Sequence, residues 1–292
     1  MKSSALSKVT IYNAQYVADA PSGHSVLHVR DPHALIRAAG YLKFLARENH
    51  QSVYFRGQCQ LYDGLSPSLF RGYRTQSAQT KRVNLLRKAI DAAKANNKIF
   101  KDFSATAHEP LLQHYGLRTS WIDLVDNVWV ALWFGCHDVK SSGKFHEYFH
   151  FEKRVITGSQ PNYVYILLVE GTAKPTAEAG YFQDQTTEVV DLRTMCPSIF
   201  LRPHAQHGVL FRVRGGHPIY GTAPIRSMDY SAQIRGIVRI DLTDALSWLG
   251  SGQMLGVHAL FPPPYYDFGY GILLKGGIPA STETGSIAHV GA

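Results

Sequence analysis

Short apolar segments that alternate with helical patterns are the feature that most constrains the fold of this chain. Strand-like segments lie at residues 9–17, 53–55, 163–170, 208–214 and 236–242. Helical patterns lie between and beside them, at residues 31–45, 77–100, 109–115, 126–137 and 244–249. Because the strands are short and the helices follow no repeat, the pattern predicts one α+β domain in which helices surround short mixed or antiparallel strands. Residues 141–159 are polar and are predicted to form a mobile loop or an insertion.

Composition limits the class of protein. The chain has 292 residues, of which 45% are hydrophobic and 18% are charged, and this balance excludes a disordered chain. Three cysteines without paired spacing indicate reduced thiols. The longest apolar runs are too short to span a bilayer, and the N-terminus lacks the apolar stretch of a signal peptide. We therefore expect a cytoplasmic protein without a membrane partner.

The formal net charge of +8 favours an anionic partner such as nucleic acid, although a merely soluble basic protein has the same balance. The basic residues form two groups along the chain. The first group is Arg71, Arg74, Lys81, Arg82, Arg87 and Lys88, and the second is Arg202, Arg212, Arg214, Arg226, Arg235 and Arg239.

Two short motifs suggest a binding site. Residues 53–58 read VYFRGQ, so that a β run ends on Arg56, whose planar guanidinium suits an anion, and on Gly57, which lets a ligand approach the backbone. Residues 112–119 read LQHYGLRT and place His114 and Tyr115 before a glycine. Each motif has a structural alternative: a strand end with a surface ion pair for the first, and a glycine-capped helix end that packs on the core for the second.

Two further polar residues have open interpretations. Gln206 precedes the segment at residues 208–214, where its amide would bond a sugar hydroxyl or simply face solvent. Asp123 precedes a helical pattern, which it would cap, with Arg118 as a possible ion-pair partner. The histidine pairs have no carboxylate or thiol in a known metal-binding arrangement, so no metal site is expected. The nucleophile elbow and the phosphate-binding loop of ATPases are also absent from the sequence.

Several segments together resemble the FRG domain family, which is named for Phe-Arg-Gly. They occur in the family's order between about residues 50 and 270, and they read YFRGQ (54–58), LSPSLFR (65–71), LQHYGLRT (112–119), NVWVALWF (127–134), RPHAQHGVLF (202–211) and LFPP (260–263). The chain departs from the family where Arg118-Thr119-Ser120 replaces Pro-Thr-Arg and where Leu124 replaces tryptophan. The resemblance implies an FRG domain at residues 51–274. The pattern of elements indicates an N-terminal extension packed on this domain (1–50), and the Gly-, Ser- and Thr-rich end of the chain is expected to form a flexible tail (275–292).

The FRG family in turn resembles ADP-ribosyltransferases in the pattern of its key residues. By that resemblance Arg56 would hold NAD, Gln206 would contact the nicotinamide ribose, and Asp123 would deprotonate the acceptor, with Glu109 and Glu188 as alternatives. A second set of residues is expected to contact NAD: Tyr54, Arg56, Gly57, Gln58, His114, Tyr115 and Thr119. Trp121 is a further candidate for stacking on nicotinamide.

The resemblance implies a function as well. We expect an ADP-ribosyltransferase toxin that uses NAD, without a metal, to modify a nucleic acid, most simply RNA, in a bacterial toxin–antitoxin or phage-defence system. An antitoxin protein would then be a partner. The alternative is a non-catalytic module that binds a nucleotide or a nucleic acid, because a fold does not determine its function.

Overall fold

The computed structural model describes residues 5–19, 22–73, 75–158, 162–214, 228–250, 252 and 256–291. Arg74 and Arg226 of the two basic groups lie outside these residues. The described strands are β1 (Ala14–Ala18), β2 (Ser25–Val29), β3 (Gln51–Gln58), β4 (Ile122–Val125), β5 (His137–Ser142), β6 (Tyr148–Lys153), β7 (Tyr163–Thr172), β8 (Tyr181–Gln183), β9 (Thr187–Asp191), β10 (Gly208–Val213), β11 (Ile234–Asp241) and β12 (His289–Gly291). The described α-helices are α1 (Pro32–Ala46), α2 (Gln76–Asn96), α3 (Ala105–His114), α4 (Val128–Gly135), α5 (Leu192–Met195), α6 (Leu201–Ala205), α7 (Leu242–Leu249), α8 (Val257–Leu260) and α9 (Phe268–Lys275).

Within the described residues, nine strands form one sheet in the order β1-β2-β11-β7-β3-β4-β10-β9-β8. Its pairs are antiparallel except for β2 with β11, so the sheet is mixed. A smaller sheet has the order β12-β6-β5. The predicted α+β class is confirmed. Strands β1 and β2, from the first fifty residues, extend the edge of the large sheet beyond β11.

The start of α1 follows from its sequence. The Asp31 carboxylate accepts a hydrogen bond from the Ala34 backbone N–H at 2.8 Å, and proline occupies the first helical position, where no donor is needed. The side chains of Ala34, Leu35 and Leu42 are buried against the sheet side of the helix. The predicted helix start at Asp31-Pro32 is therefore confirmed.

Strand β3 lies between β7 and β4, and its two faces meet different parts of the core. Val53 and Phe55 belong to a cluster that includes the buried side chains of α1 and α4. Tyr54 belongs to a cluster on the opposite face, together with Ile122 and Leu124 of β4. Since side chains alternate along a strand, Arg56 shares the face of Tyr54, whereas Gly57 faces α4.

Three expectations about the elements were wrong. The strand predicted at residues 9–17 begins only at Ala14, so residues 9–13 are not part of it. A 3-10 turn at Ala5–Lys8 precedes this segment. The polar segment at residues 141–159 is not a structureless loop, because β5 and β6 pair as antiparallel strands along most of their length. The side chains of β5 are almost all exposed, so this strand has no apolar alternation that would reveal the hairpin in the sequence.

The third wrong expectation concerns the end of the chain. Residues beyond Lys275 were expected to form a loose tail, but β12 pairs with β6, and Ala288 is fully buried. The Ala288 backbone N–H donates to the Tyr115 carbonyl oxygen at 2.7 Å. Gly116 makes this packing possible, because a Cβ there would lie 2.6 Å from the Ala288 side chain, and its φ of +117° disfavours other residues. Small and polar residues thus occupy a packed segment.

Candidate functional site

Arg56 lies where strands β3 and β4 separate. In the described residues these strands share one register pair, Phe55 with Val125, directly before Arg56. The Arg56 Nη1 donates to the backbone oxygen of Asp123 at 2.7 Å, and its Nε donates to Gln58 Oε1 at 3.2 Å in the amide orientation that suits both atoms of Gln58. Burial lowers the pKa of Arg56, the Asp123 carboxylate opposes that effect, and the charge of Arg71 adds to it. The guanidinium therefore bridges the gap between the two strands.

The Asp123 carboxylate is the second charged group at this point. Its Oδ2 accepts a hydrogen bond from Gln113 Nε2 at 2.5 Å, and its Oδ1 lies 3.7 Å from His114 Nε2. The side chain is nevertheless 46% exposed. Asp123 is thus held by Gln113 through Oδ2, and its side chain is partly open to solvent although Oδ1 itself is buried. A carboxylate in such a position can exchange a proton with a bound molecule.

The other two acidic candidates are enclosed. Glu109 is buried, and its Oε1 accepts hydrogen bonds from the Ser120 backbone N–H at 2.8 Å and from the Ser120 hydroxyl at 2.7 Å. Glu188 is also buried and accepts from Arg212 Nε at 2.5 Å. Of the three carboxylates proposed from the sequence, Asp123 has the open position.

Gln113 is a member of this group that the sequence analysis did not select. Its Oε1 accepts the Thr119 hydroxyl proton, so its Nε2 points to Asp123. Thr119 is fully buried and also accepts the Trp121 backbone N–H at 3.2 Å, so its predicted contact with NAD is not supported by its position. The signal for Gln113 was its place directly before His114 in the motif. Gln113 and Thr119 together orient the Asp123 carboxylate.

Gln206 lies inside the protein rather than in a loop facing solvent. Its Nε2 donates to the Leu260 carbonyl oxygen at 2.8 Å, and its Oε1 lies 3.1 Å from His114 Nδ1. Because Leu260 fixes the amide with its oxygen toward the ring, Nδ1 of His114 must carry the proton. Both amide atoms of Gln206 are therefore used, and direct contact with a ribose, as predicted, would break one of these bonds.

His114 connects Gln206 with Asp123. The ring packs on Gly208 of β10, where a Cβ would lie 2.4 Å from the ring carbon Cε1. Burial lowers the pKa of His114, while the Asp123 charge and the Gln206 hydrogen bond raise it. Since Nδ1 bears the proton, Nε2 of the neutral ring faces Asp123 Oδ1 as a second acceptor, and both atoms are buried without a hydrogen bond among the described residues.

Three predicted ligand contacts are core residues in the structure. Tyr115 is fully buried, and its hydroxyl donates to Asp267 Oδ2 at 2.7 Å. Tyr54 is buried in its cluster, and burial raises the pKa of its hydroxyl. The Trp121 ring is buried, with the Arg212 guanidinium 4.2 Å from its centroid. These rings cannot stack on a ligand without leaving their present partners, which corrects the expectation that they line a pocket.

Gly57 also has a different role from the predicted one. A Cβ at this position would lie 1.7 Å from the backbone oxygen of Ala131, which belongs to α4. The missing side chain lets the helix backbone approach the strand, so the space beside Gly57 is filled by protein. The expectation that this glycine lets a ligand reach the backbone is therefore wrong on the face that α4 covers.

The structure brings the predicted residues together in two neighbouring groups that meet at Asp123. From β3, Arg56 donates to the Asp123 backbone oxygen and is itself bonded by Gln58; from the other side, His114 lies beside the Asp123 carboxylate and is itself bonded by Gln206. A separate polar cavity lies at the edge of the large sheet formed by β8 and β9. It is lined by Lys174, Gln183, Asp184, Gln185, Thr186 and Arg214. None of the predicted site residues lines that cavity.

Two features, a membrane-spanning helix and a metal-binding cluster, are absent from the residues that the structure describes. These residues contain no helix with the length and apolar character needed to cross a membrane. In the same parts of the chain, no three histidine, cysteine or acidic side chains come together as a metal site would require.

Comparison with known proteins identifies one region. Residues 51–144 match the family model of the FRG domain, whereas no curated protein and no solved structure matches the chain. The matched region begins with β3 and ends just after β5, so it contains Arg56, Gln113, His114 and Asp123, while Gln206 lies beyond it. The predicted resemblance is confirmed at this level: residues 51–144 of the chain match the FRG domain family.

Proposed function

We propose that this protein is an ADP-ribosyltransferase that takes NAD as its substrate. The observation that carries the proposal is the position of Arg56 beside Asp123 at the separation of β3 and β4, where a guanidinium and a half-exposed carboxylate are neighbours. The FRG domain match supports it, because the motif residues that the match covers supply both groups. The wider resemblance to ADP-ribosyltransferases is part of the proposal.

The chemistry requires these two kinds of group. The bond between the ribose C1′ and the nicotinamide nitrogen breaks, nicotinamide leaves with the bonding electrons, and the acceptor forms a new bond to C1′. The acceptor loses a proton in this step, and Asp123 is placed to receive it. Among the described residues, Nη1 and Nε of Arg56 have hydrogen-bond partners, which leaves Nη2 for an oxygen of the NAD diphosphate.

The remaining residues act through Asp123. Gln113 holds the carboxylate by donating to Oδ2, His114 packs against Oδ1 at 3.7 Å, and Gln206 fixes the His114 ring by accepting its Nδ1 proton. We therefore assign Gln206 as a positioning residue in place of the ribose contact expected from the sequence. A carboxylate that is fixed before the substrate arrives needs no reorientation during the reaction.

The net charge of +8 suits a nucleic acid as the acceptor, and we propose single-stranded RNA as the simplest case. In the same proposal the protein is a bacterial toxin of a toxin–antitoxin or phage-defence system, acts in the cytoplasm and is restrained by an antitoxin protein. This part rests on the family resemblance of the motifs.

A transfer assay tests the proposal. The protein is incubated with NAD labelled in its adenylate half, together with RNA, DNA or a protein extract. We expect label on RNA with the wild-type chain and none with Arg56→Ala, and we expect that Arg56→Lys does not restore it, because lysine lacks the planar fork of donors. Asp123→Asn should retain NAD binding and lose transfer by about 100-fold or more, the scale of a general base.

The control for Asp123→Asn is Asp91→Asn, which makes the same change at an exposed position of α2. It should transfer label at the wild-type rate. If wild-type protein binds NAD but releases no nicotinamide with any acceptor, the transferase proposal is wrong.

A non-catalytic nucleotide- or nucleic-acid-binding module is the second candidate. It is favoured by Gln206, whose two amide atoms are both engaged inside the protein, so that it is not free to orient a ribose. This function would be supported if the protein binds NAD or RNA, if Arg56→Ala weakens that binding, and if no nicotinamide is released.

A further inference from the structure

Three arginines lie along one surface that begins at Arg56. The loop after β3 is attached to the motif after α3, because the Leu69 backbone N–H donates to the Thr119 carbonyl oxygen at 3.2 Å. This bond places Arg71, two residues beyond Leu69, near Arg118, which precedes Thr119. The charge of Arg71 also lowers the pKa of both Arg56 and Arg118, as expected for neighbouring guanidinium groups. We call Arg56, Arg71 and Arg118 the arginine track.

Main-chain carbonyl groups hold the arginine track. Arg56 donates to the Asp123 backbone oxygen at 2.7 Å, Arg71 to Ser66 at 3.3 Å and Arg118 to Thr282 at 3.2 Å. In the parts of the chain that the structure describes, none of the three forms an ion pair with a carboxylate. A carbonyl group orients a guanidinium but leaves its charge in place, so Arg71 and Arg118 keep their positive charges on this surface, while Arg56 has the Asp123 carboxylate as a neighbour.

The nearest acidic side chains are already engaged. The Glu283 carboxylate, close to Thr282, accepts from Lys81 Nζ at 2.6 Å. The Asp123 carboxylate lies against α3, where its Oδ2 accepts a hydrogen bond from Gln113 and its Oδ1 is 3.7 Å from His114 Nε2. The track therefore differs from an ordinary surface network of alternating charges, in which each guanidinium has its own carboxylate.

The second basic group of the sequence shows the contrast. Four of its members pair with carboxylates of neighbouring strands and loops: Arg212 and Arg214 with Glu188, Arg235 with Glu170, and Arg239 with Asp19. Arg202 is buried, and its guanidinium lies 4.0 Å from the Tyr270 ring centroid and 4.7 Å from that of Tyr115. The five members of this group that the structure describes are thus occupied within the protein and do not form a free basic surface among the described residues.

Exposed tyrosines accompany the track. Tyr62 is 53% exposed and lies near Arg56, while Tyr73 is 43% exposed and lies near Arg118. The Arg82 guanidinium lies 3.4 Å from the Tyr73 ring centroid and covers one face of that ring, so a base would stack on the other face. Phosphates bind guanidinium groups, and unstacked bases bind aromatic rings. Exposure rises along the track from the partly buried Arg56 to the exposed Arg71. Several guanidinium groups with tyrosines beside them suit a chain of nucleotides better than a single anion.

We propose that Arg71 and Arg118, the two members of the arginine track that the NAD diphosphate does not occupy, bind successive phosphates of a single-stranded nucleic acid that reaches the site at Arg56, with Tyr62 and Tyr73 as stacking partners for its bases. The inference names the surface for the acceptor of the proposed transferase, and its functional meaning rests on that proposal. The binding itself is measured without NAD, so the failure of one proposal is distinguishable from the failure of the other.

The test compares two double variants of equal charge. Arg71→Gln with Arg118→Gln removes two members of the track, whereas Arg30→Gln with Arg37→Gln removes two exposed arginines before and within α1. Binding of a fluorescent uridine oligonucleotide of about ten nucleotides is measured by anisotropy over a range of salt concentrations. Thermal melting is recorded for each protein to establish that it is folded.

We expect the track variant to bind at least about tenfold more weakly than the control pair at low salt. The slope of log affinity against log salt should fall by about 1.4, because each phosphate contact on a single strand contributes about 0.7. If Arg118→Gln unfolds the protein, Arg71→Gln alone should reduce the slope by about half as much.

Two results would overturn the inference. The first is a track variant that matches the control pair in affinity and slope. The second is found with ADP as a competitor: if ADP displaces the oligonucleotide and its own affinity falls equally in the track variant, the surface serves the diphosphate of a small nucleotide. ADP that leaves the oligonucleotide bound agrees with the proposal.

Discussion

Gly57→Ala separates a structural role of the FRG glycine from a ligand-binding role. The added Cβ would lie 1.7 Å from Ala131 O, 2.7 Å from Ala131 C and 2.9 Å from Gly135 N, all of them backbone atoms of α4. Non-bonded heavy atoms pack at about 3.5 Å, so α4 must move away from β3 by roughly 1 to 2 Å. A side-chain rotation cannot relieve the clash, because only backbone is involved.

The cost follows from what α4 carries. Val130, Leu132 and Trp133 are buried in the cluster that also contains Phe55 and Val53. Overpacking a core costs about 1 to 3 kcal/mol when side chains adjust, and more when a helix must shift. We expect Gly57→Ala to lower the free energy of unfolding by about 4 kcal/mol. This corresponds to a melting temperature lower by roughly 8 to 16 °C.

Gly40→Ala is the matched control, because it adds the same methyl group within α1. No atom lies within 4 Å of a Cβ at Gly40, which is exposed in the middle of that helix. Alanine should stabilise the protein there by about 0.5 to 1 kcal/mol, since glycine is the poorer helix former. Urea and thermal unfolding monitored by circular dichroism measure both variants, and NAD binding is measured in parallel.

One outcome would refute the structural role of Gly57. If Gly57→Ala unfolds like the wild type but no longer binds NAD, the space beside this glycine serves a ligand, and the packing of α4 on β3 is not what requires it. A large loss of stability that Gly40→Ala does not share agrees with the structure.

Two further predictions concern buried groups. Tyr115→Phe should lower the free energy of unfolding measured in urea by about 1 to 3 kcal/mol, because the buried Asp267 carboxylate loses its hydroxyl donor. NAD binding by the folded variant should stay unchanged. Weaker NAD binding at wild-type stability would instead place Tyr115 in the site. Burial raises the pKa of Glu109, so its contribution to stability is complete below the ordinary carboxyl pKa and is lost as the pH rises through the raised value. Glu109→Gln should therefore gain melting temperature relative to wild type as the pH rises above the ordinary carboxyl pKa of about 4, and a difference that stays constant with pH would contradict this.

The sequence by itself determined the local elements and the identity of the domain. The Asp31-Pro32 start of α1 and the apolar runs of β3, β7 and β10 are visible there, because capping and side-chain alternation act over a few residues. The ordered motifs of the FRG domain are local in the same way, and residues 51–144 match that family. Short elements such as β4 and β12 were missed, since a strand of three or four residues has too little pattern.

Only the tertiary structure decided what those residues do. Gly57 faces α4, Tyr115 lies in the core on Asp267, and Gln206 reaches His114 across ninety-two positions of sequence. Glu109 and Glu188 are buried and hydrogen-bonded inside the protein, which leaves Asp123 as the exposed carboxylate of the three. Spacing along the chain carries no information about such contacts, because they depend on which strands pair and on which side of the sheet each helix packs.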